Sequence, residues 1–169
     1  MDFLWGTHPA FAISSGTRIL APAKTGIVAI ASHPSLGTPG EHYRWPMLGS
    51  VDMSRVQGIE AGVSCGHYLT DLEAGWFAVE TAGCGIVFDF PLAECPHLWL
   101  WLVYGGWRGY HHAIVEPWTS YPVNLAEAVR QQRHRELSPG GRFEVTVRCA
   151  TYQAPEDAAG ARSKMLAAV

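Results

Sequence analysis

Residues His111–Tyr121, HHAIVEPWTSY, place a single carboxylate on a short extended run. Ala113-Ile114-Val115 has the apolar character of a buried strand, and Pro117 follows Glu116 directly. Proline lacks the N–H that a sheet ladder needs, so the strand is expected to stop there with Glu116 at its lip. Trp107 and Tyr110 lie just upstream, and Trp118 and Tyr121 just downstream. Aromatic faces stack on the C–H surface of a pyranose, and a carboxylate among them can accept a hydroxyl hydrogen bond or remove a proton. An isolated acid at a sheet edge is more often merely solvated, so the surrounding chain decides the reading.

Immediately upstream, His97–Tyr104 (HLWLWLVY) has tryptophans at 99 and 101 and leucines at 98, 100 and 102. That pattern fits a strand buried on both faces. Gly105–Tyr110 is a loop joining it to the Glu116 strand. Earlier still, residues 75–81 and 85–90 flank Ala82-Gly83-Cys84, a hairpin signal. Thr17–Ala31 reads as two short strands, RILAPA and GIVAIA, split at Lys24-Thr25-Gly26. Ser32–Gly49 is a Gly- and Pro-rich loop holding Glu41, His42, Tyr43, Arg44 and Trp45. It is either a binding loop or a surface connection anchored by its aromatics. Ser50–Val63 has room for a short irregular helix or strand.

Downstream, Pro122–Glu136 is expected to hold the chain's one short helix, near 124–135. Asn124 is a good N-cap, Glu127 follows three residues later, and Arg130, Arg133 and Arg135 lie toward the C-terminal end. Leu137–Gly141 makes a turn, and Arg142–Tyr152 alternates as a final strand. Residues 1–152 are thus expected to form one β domain, with 153–169 as an Ala- and Gly-rich flexible tail.

Composition narrows the function classes. The 169 residues suit one domain, and 48% apolar against 16% charged residues excludes disorder. Eighteen glycines, 11 prolines and seven tryptophans, with many short apolar runs, are the texture of an antiparallel β protein. A net charge of −3 with scattered Lys and Arg argues against nucleic acid as partner. No apolar run approaches the ~20 residues of a membrane span. Nothing marks export, so a soluble, cytoplasmic protein is expected. Cys65, Cys84, Cys95 and Cys149 lie far apart, which suggests buried thiols rather than a disulfide frame or zinc site. There is no G-x-G-x-x-G, P-loop, G-x-S-x-G or H-E-x-x-H motif. The N-terminus, MDFLWGTHPAFAI, enters an apolar aromatic segment at once, which suggests that an upstream half is missing. Within it Pro9 biases His8 toward an extended conformation.

Three segments, in this order, resemble the C-terminal half of aldose 1-epimerases, the galactose mutarotase-like family. They are WGTHPAF (Trp5–Phe11), AIVEPWT (Ala113–Thr119) and LSPGGRFEVTVRCATY (Leu137–Tyr152). The resemblance implies an antiparallel β-sandwich of the supersandwich type, in a half-length version. It implies Glu116 as the general base on the anomeric hydroxyl and His8 as the general acid on the ring oxygen, flanking the C1–O5 unit. It implies neither metal nor organic cofactor. The family's N-terminal half contributes a further substrate-binding histidine and an arginine, and that half has no counterpart here. Glu41, His42, Asp71 and His67 are possible stand-ins for the family's substrate-binding aspartate, and Tyr104, Trp107, Arg108 and Trp118 are expected to line the sugar site.

The leading expectation is therefore an isomerase interconverting the α and β anomers of an aldose or sugar derivative. Unpaired sheet edges in a half-length sandwich imply a homodimer or a partner chain. Two alternatives stand beside it: a non-catalytic carbohydrate-binding protein, and a proton-transfer isomerase or cyclase acting on a non-sugar metabolite.

Overall fold

The computed structural model describes residues 1–168. In chain order its strands are β1 (Asp2–Phe3), β2 (Ala10–Ala12), β3 (Arg18–Leu20), β4 (Thr25–Ala31), β5 (His42–Arg44), β6 (Met47–Leu48) and β7 (Val51–Asp52). There follow β8 (Val63–Thr70), β9 (Trp76–Thr81), β10 (Cys84–Asp89), β11 (His97–Tyr104), β12 (His111–Trp118), helix α1 (Leu125–Arg130), β13 (Arg135–Glu136), β14 (Arg148–Gln153) and helix α2 (Ala158–Ala167). An eight-stranded antiparallel sheet has the order β2-β12-β11-β8-β4-β5-β6-β7, and a four-stranded sheet the order β14-β10-β9-β3. β1 pairs with β13. Among the described residues no helix is long and apolar enough to cross a membrane.

β11 is the centre of the larger sheet, flanked by β12 and β8. Period-two alternation sends Leu98, Leu100, Leu102 and Tyr104 to one face, together with Ala113 and Val115 of β12 and Cys65 and Leu69 of β8. Opposite them stand Ile19 of β3 and Phe77 and Val79 of β9, so the two sheets close face to face over one core. Phe77 stacks on Phe88 at 4.7 Å between centroids, and Phe11 meets both rings edge-on. A fully buried side chain such as Phe77 stabilises the sandwich by about 1.5–3 kcal/mol. The mainly antiparallel β class and the burial of β11 on both faces are as the sequence implies.

Several local expectations change. β12 runs through Pro117, which lies opposite Leu98. The Pro117 carbonyl accepts from Thr7 N, and a strand residue's N–H points the same way as its C=O, so the missing donor faces the N-terminal segment rather than β11. The ladder to β11 therefore loses nothing. The capped helix is real, with Asn124 Oδ1 accepting from Glu127 N at 3.1 Å, but it ends at Arg130. Beyond it, Gln131-Gln132-Arg133 has no apolar residue to bury, and Gln132 turns left-handed (φ 55°). The last strand begins only at Arg148, because Val145 and Val147 pack on the core without joining a ladder. RILAPA and GIVAIA yield β3 and β4, which belong to different sheets. In the 32–49 loop Tyr43 and Trp45 are core residues, so its aromatics anchor it. All four cysteines are free, with Cys65 and Cys95 buried and Cys84 and Cys149 exposed.

Within 153–169, expected as a tail, α2 lies against the outer face of the smaller sheet. Ala158 and Ala161, three residues apart on one helix face, close over Ala78, Val87 and Tyr152. Asp157 caps the helix, and Arg162 donates to Asp89 at 2.7 Å.

β9 and β10 form the expected hairpin through Ala82 (φ 48°) and Gly83 (φ 77°), both left-handed as a type I′ turn requires. A Cβ in that region costs about 1–2 kcal/mol. Ala82→Gly is therefore expected to stabilise the protein by about 0.5–1 kcal/mol, net of the freedom it adds to the unfolded chain. Thermal unfolding followed by circular dichroism measures this as a rise of about 1–4 °C in Tm.

Candidate active site

On β12 the alternation that sends Ala113 and Val115 to the core turns Ile114, Glu116 and Trp118 to the other face of the large sheet. Antiparallel register sets Trp99 opposite Glu116 and His97 opposite Trp118. The Trp118 indole lies on Trp99, with centroids 3.8 Å apart and planes 10° off parallel. Its other face rests on Gly6, where an added Cβ would fall 2.2 Å from a ring atom. Only glycine permits that approach. Trp99 Nε1 donates to the Ser120 carbonyl at 3.1 Å, and Trp118 Nε1 donates to Glu116 Oε2 at 2.8 Å. Both indoles and one carboxylate oxygen are thereby fixed.

The second oxygen, Oε1, lies 3.7 Å from His8 Nε2. His8 arrives on the N-terminal segment, which runs beside β12 through the Gly6–Trp118 bridge and the β2 pairing of Ala10 with Ile114. The Glu116 side chain is 5% exposed and that of His8 58%, so a buried carboxyl group faces an accessible imidazole across a short gap. Burial raises the Glu116 pKa above its ordinary value of 4.5, opposed first by the Trp118 hydrogen bond and then by His8.

These two residues border a cleft of about 380 Å³ whose walls are otherwise Ile30, Tyr68, Trp99, Trp101, Trp118 and Val123 with neighbouring backbone. That size lies at the low end for small-molecule sites, and the lining is mainly apolar with convergent polar groups at one end. The structure thus brings together His8, Glu116 and Trp118 from the residues the sequence singles out. His67 contributes backbone to the wall, but its ring points into the core, where Nδ1 meets Tyr43 OH at 3.1 Å. Burial lowers the His67 pKa to about 4, so the ring is neutral at pH 7. Tyr104 is buried in the core and does not line the cleft. Trp107 lies outside the wall but packs on Trp101 (5.2 Å), and Arg108 covers Trp107 (5.0 Å). His42 is exposed in a neighbouring depression. Trp99, Trp101 and Tyr68 were legible only as strand residues. Pairing β11 with β12 and β8 in register would have put them on the face of Glu116.

Outside the cleft, Asp2, His134 and Glu136 across β1 and β13 bring one ligand atom each within 4.8 Å of one another. His134 Nε2 already pairs there with Asp2 (3.3 Å) and Glu136 (3.4 Å).

No protein-family model matches this sequence, and no curated protein matches it. Solved structures do share its fold. One is a protein of Klebsiella pneumoniae provisionally named an aldose 1-epimerase, with TM-score 0.68 and 20% identity, covering 98% of this chain and 42% of its own. An Escherichia coli protein with the same provisional name gives TM-score 0.55 and 18% identity, covering 90% of this chain and 50% of its own. A Synechocystis protein whose name carries no activity gives 0.64 and 16%, covering 90% and 46%. The chain therefore has the β fold found in proteins named aldose 1-epimerases, and it spans about half their length.

Because its pKa is raised, Glu116 binds more protons in the folded state than in the unfolded chain between the ordinary and raised values. Stability therefore falls as pH rises through that window and stays lower above it. Glu116→Gln keeps an acceptor for Trp118 Nε1 and removes the charge. It is expected to match the parent in stability at about pH 4 and exceed it at about pH 7, as read from urea midpoints. A loss at pH 7 would show that the ionised carboxylate holds the fold together.

Proposed function

We propose that this protein is a carbohydrate isomerase of aldose 1-epimerase type, interconverting the α and β anomers of an aldose or sugar derivative. The observation that carries the reading is the Glu116–His8 pair, 3.7 Å apart, at the end of an aromatic cleft. Glu116 Oε1 removes the proton of the anomeric hydroxyl while His8 protonates the ring oxygen, and the C1–O5 bond breaks to leave an open-chain aldehyde. Rotation about C1–C2 and the reverse transfers close the ring on the opposite face. The anomeric and ring oxygens share one carbon, so groups as near as these two can engage both. The aromatic walls, Tyr68, Trp99, Trp101 and Trp118, offer apolar surface to the C–H groups of a pyranose. The Trp118 donor favours the ionised form of Glu116 that a base requires. The shared β fold supports the reading, and four free thiols suit the reducing cytoplasm.

The apolar lining favours one second reading, proton transfer on a less polar, non-sugar metabolite. Saturation-transfer NMR on a panel of aldoses separates the possibilities. Exchange between anomer signals above the spontaneous rate, reduced at least about 100-fold in Glu116→Gln, is the expected result. Saturable sugar binding without exchange would instead indicate a carbohydrate-binding protein, and silence toward every sugar would favour the non-sugar substrate. The raised Glu116 pKa puts the acid limb of the pH–rate profile above the ordinary carboxylate range, and Trp118→Phe, which removes the donor, should move that limb to higher pH.

The same reading includes a homodimer. The chain spans 42–50% of its two named neighbours, β7 and β2 end the large sheet and β14 one side of the small one, and unpaired edges invite association. Light scattering at micromolar concentration is expected to give twice the chain mass of 18.4 kDa, and a monomer would overturn this part of the proposal.

A further inference from the structure

The Glu116 cleft does not end at the edge of one sugar ring. A second depression of about 400 Å³ adjoins it, and the two share Ala29 and Tyr68 in their walls. Beneath both runs a continuous series of rings. Trp118 lies on Trp99 (3.8 Å), Trp99 meets Tyr68 (5.6 Å), and Tyr68 stacks on Tyr121 (5.0 Å, planes 28° apart). The Arg133 guanidinium caps the series, 4.6 Å above the Tyr121 ring. The Glu116–His8 pair lies at one end of this series and a cation at the other.

Arg133 is available for a ligand. Among the described residues no carboxylate comes within 4 Å of its guanidinium, whereas Arg18, Arg55, Arg130, Arg142 and Arg162 all have such partners. Asp71, an acid on the same side of the protein, accepts from the Thr70 hydroxyl at 3.2 Å. His42 and Gln131 border the second depression with Arg133, and the one carboxylate bonded to this wall, Glu127 on Gln131 Nε2 (2.6 Å), is itself paired with Arg130. A guanidinium carbon 4.6 Å from a ring centroid leaves N–H groups for a planar oxyanion.

Building on the isomerase reading, we propose that the substrate is a two-ring sugar carrying an acidic group on its far, non-reducing ring. Its reducing ring sits in the first cleft beside Glu116 and His8, its second ring in the adjoining depression bordered by Tyr68 and Tyr121, and its carboxylate on Arg133. A neutral monosaccharide then occupies only the first cleft.

Tryptophan fluorescence titration tests this with three ligands: glucose, cellobiose, and glucuronosyl-β-1,4-glucose, which differs from cellobiose by a terminal carboxylate. The acidic disaccharide is expected to bind at least about tenfold more tightly than either neutral sugar, and added salt should weaken only that ligand. Arg133→Gln, at an exposed position beyond the end of α1, should bring the acidic disaccharide to the level of cellobiose and leave glucose binding unchanged. Arg133→Lys should restore part of the difference. Equal affinity for the acidic and neutral disaccharides, indifference to Arg133→Gln, or no binding of any of the three would overturn the proposal. Anomer exchange recorded on the same samples keeps the two readings apart. An Arg133-dependent preference without exchange supports the acidic subsite and counts against the isomerase, while exchange on glucose without preference does the reverse.

Discussion

The pairing of β11 with β12 governs both sides of this molecule. One register places Leu98, Leu100, Leu102, Ala113 and Val115 on the core and Trp99, Glu116 and Trp118 on the cleft. A slip of β12 by one residue would turn Glu116 and Trp118 into the core and Ala113 and Val115 out of it. Burying a carboxylate there while exposing apolar side chains locks the register. The position of Glu116 is thus secured by residues that never touch it.

Trp118 extends that control to the N-terminal segment. Its indole fills the space between Trp99 and the Gly6 backbone, so the segment carrying His8 docks against the same ring that hydrogen-bonds Glu116. Acid and base, more than a hundred positions apart in the chain, share one rigid support. The support fixes Glu116 firmly and His8 less so, as their exposures of 5% and 58% show. A buried carboxylate costs stability, and here the cost is partly offset by the indole donor. A carboxylate buried at that expense beside an aromatic cleft supports the proposed site.

The half-length architecture gives the two faces of the sandwich different coverings. α2 closes the outer face of the small sheet with two alanines and an Arg162–Asp89 ion pair. The outer face of the large sheet is left to the aromatic cleft, with Ile30, Trp107, Tyr110 and Val123 exposed around it. Apolar surface of that kind is recruited by ligands or partner chains.

What could be read from the chain alone was local. The leucine and tryptophan alternation of His97–Tyr104, the Ala82-Gly83 turn and the Asn124 cap each carry their signal within a few residues. The order of three short motifs pointed to the β fold and drew attention to Glu116 and His8. The sequence misled where the deciding partner lay far away. Pro117 is tolerated because its missing donor faces the N-terminal segment, Tyr104 and the His67 ring turn to the core, and α2 is held by a sheet with which it shares no sequence pattern. Trp99 and Tyr68 became cleft residues only through cross-strand register. Periodicity along a chain tells which residues share a face, because the strand repeat is local. Which face meets the core, and which distant segment meets it there, is set by long-range packing that only the tertiary structure decides.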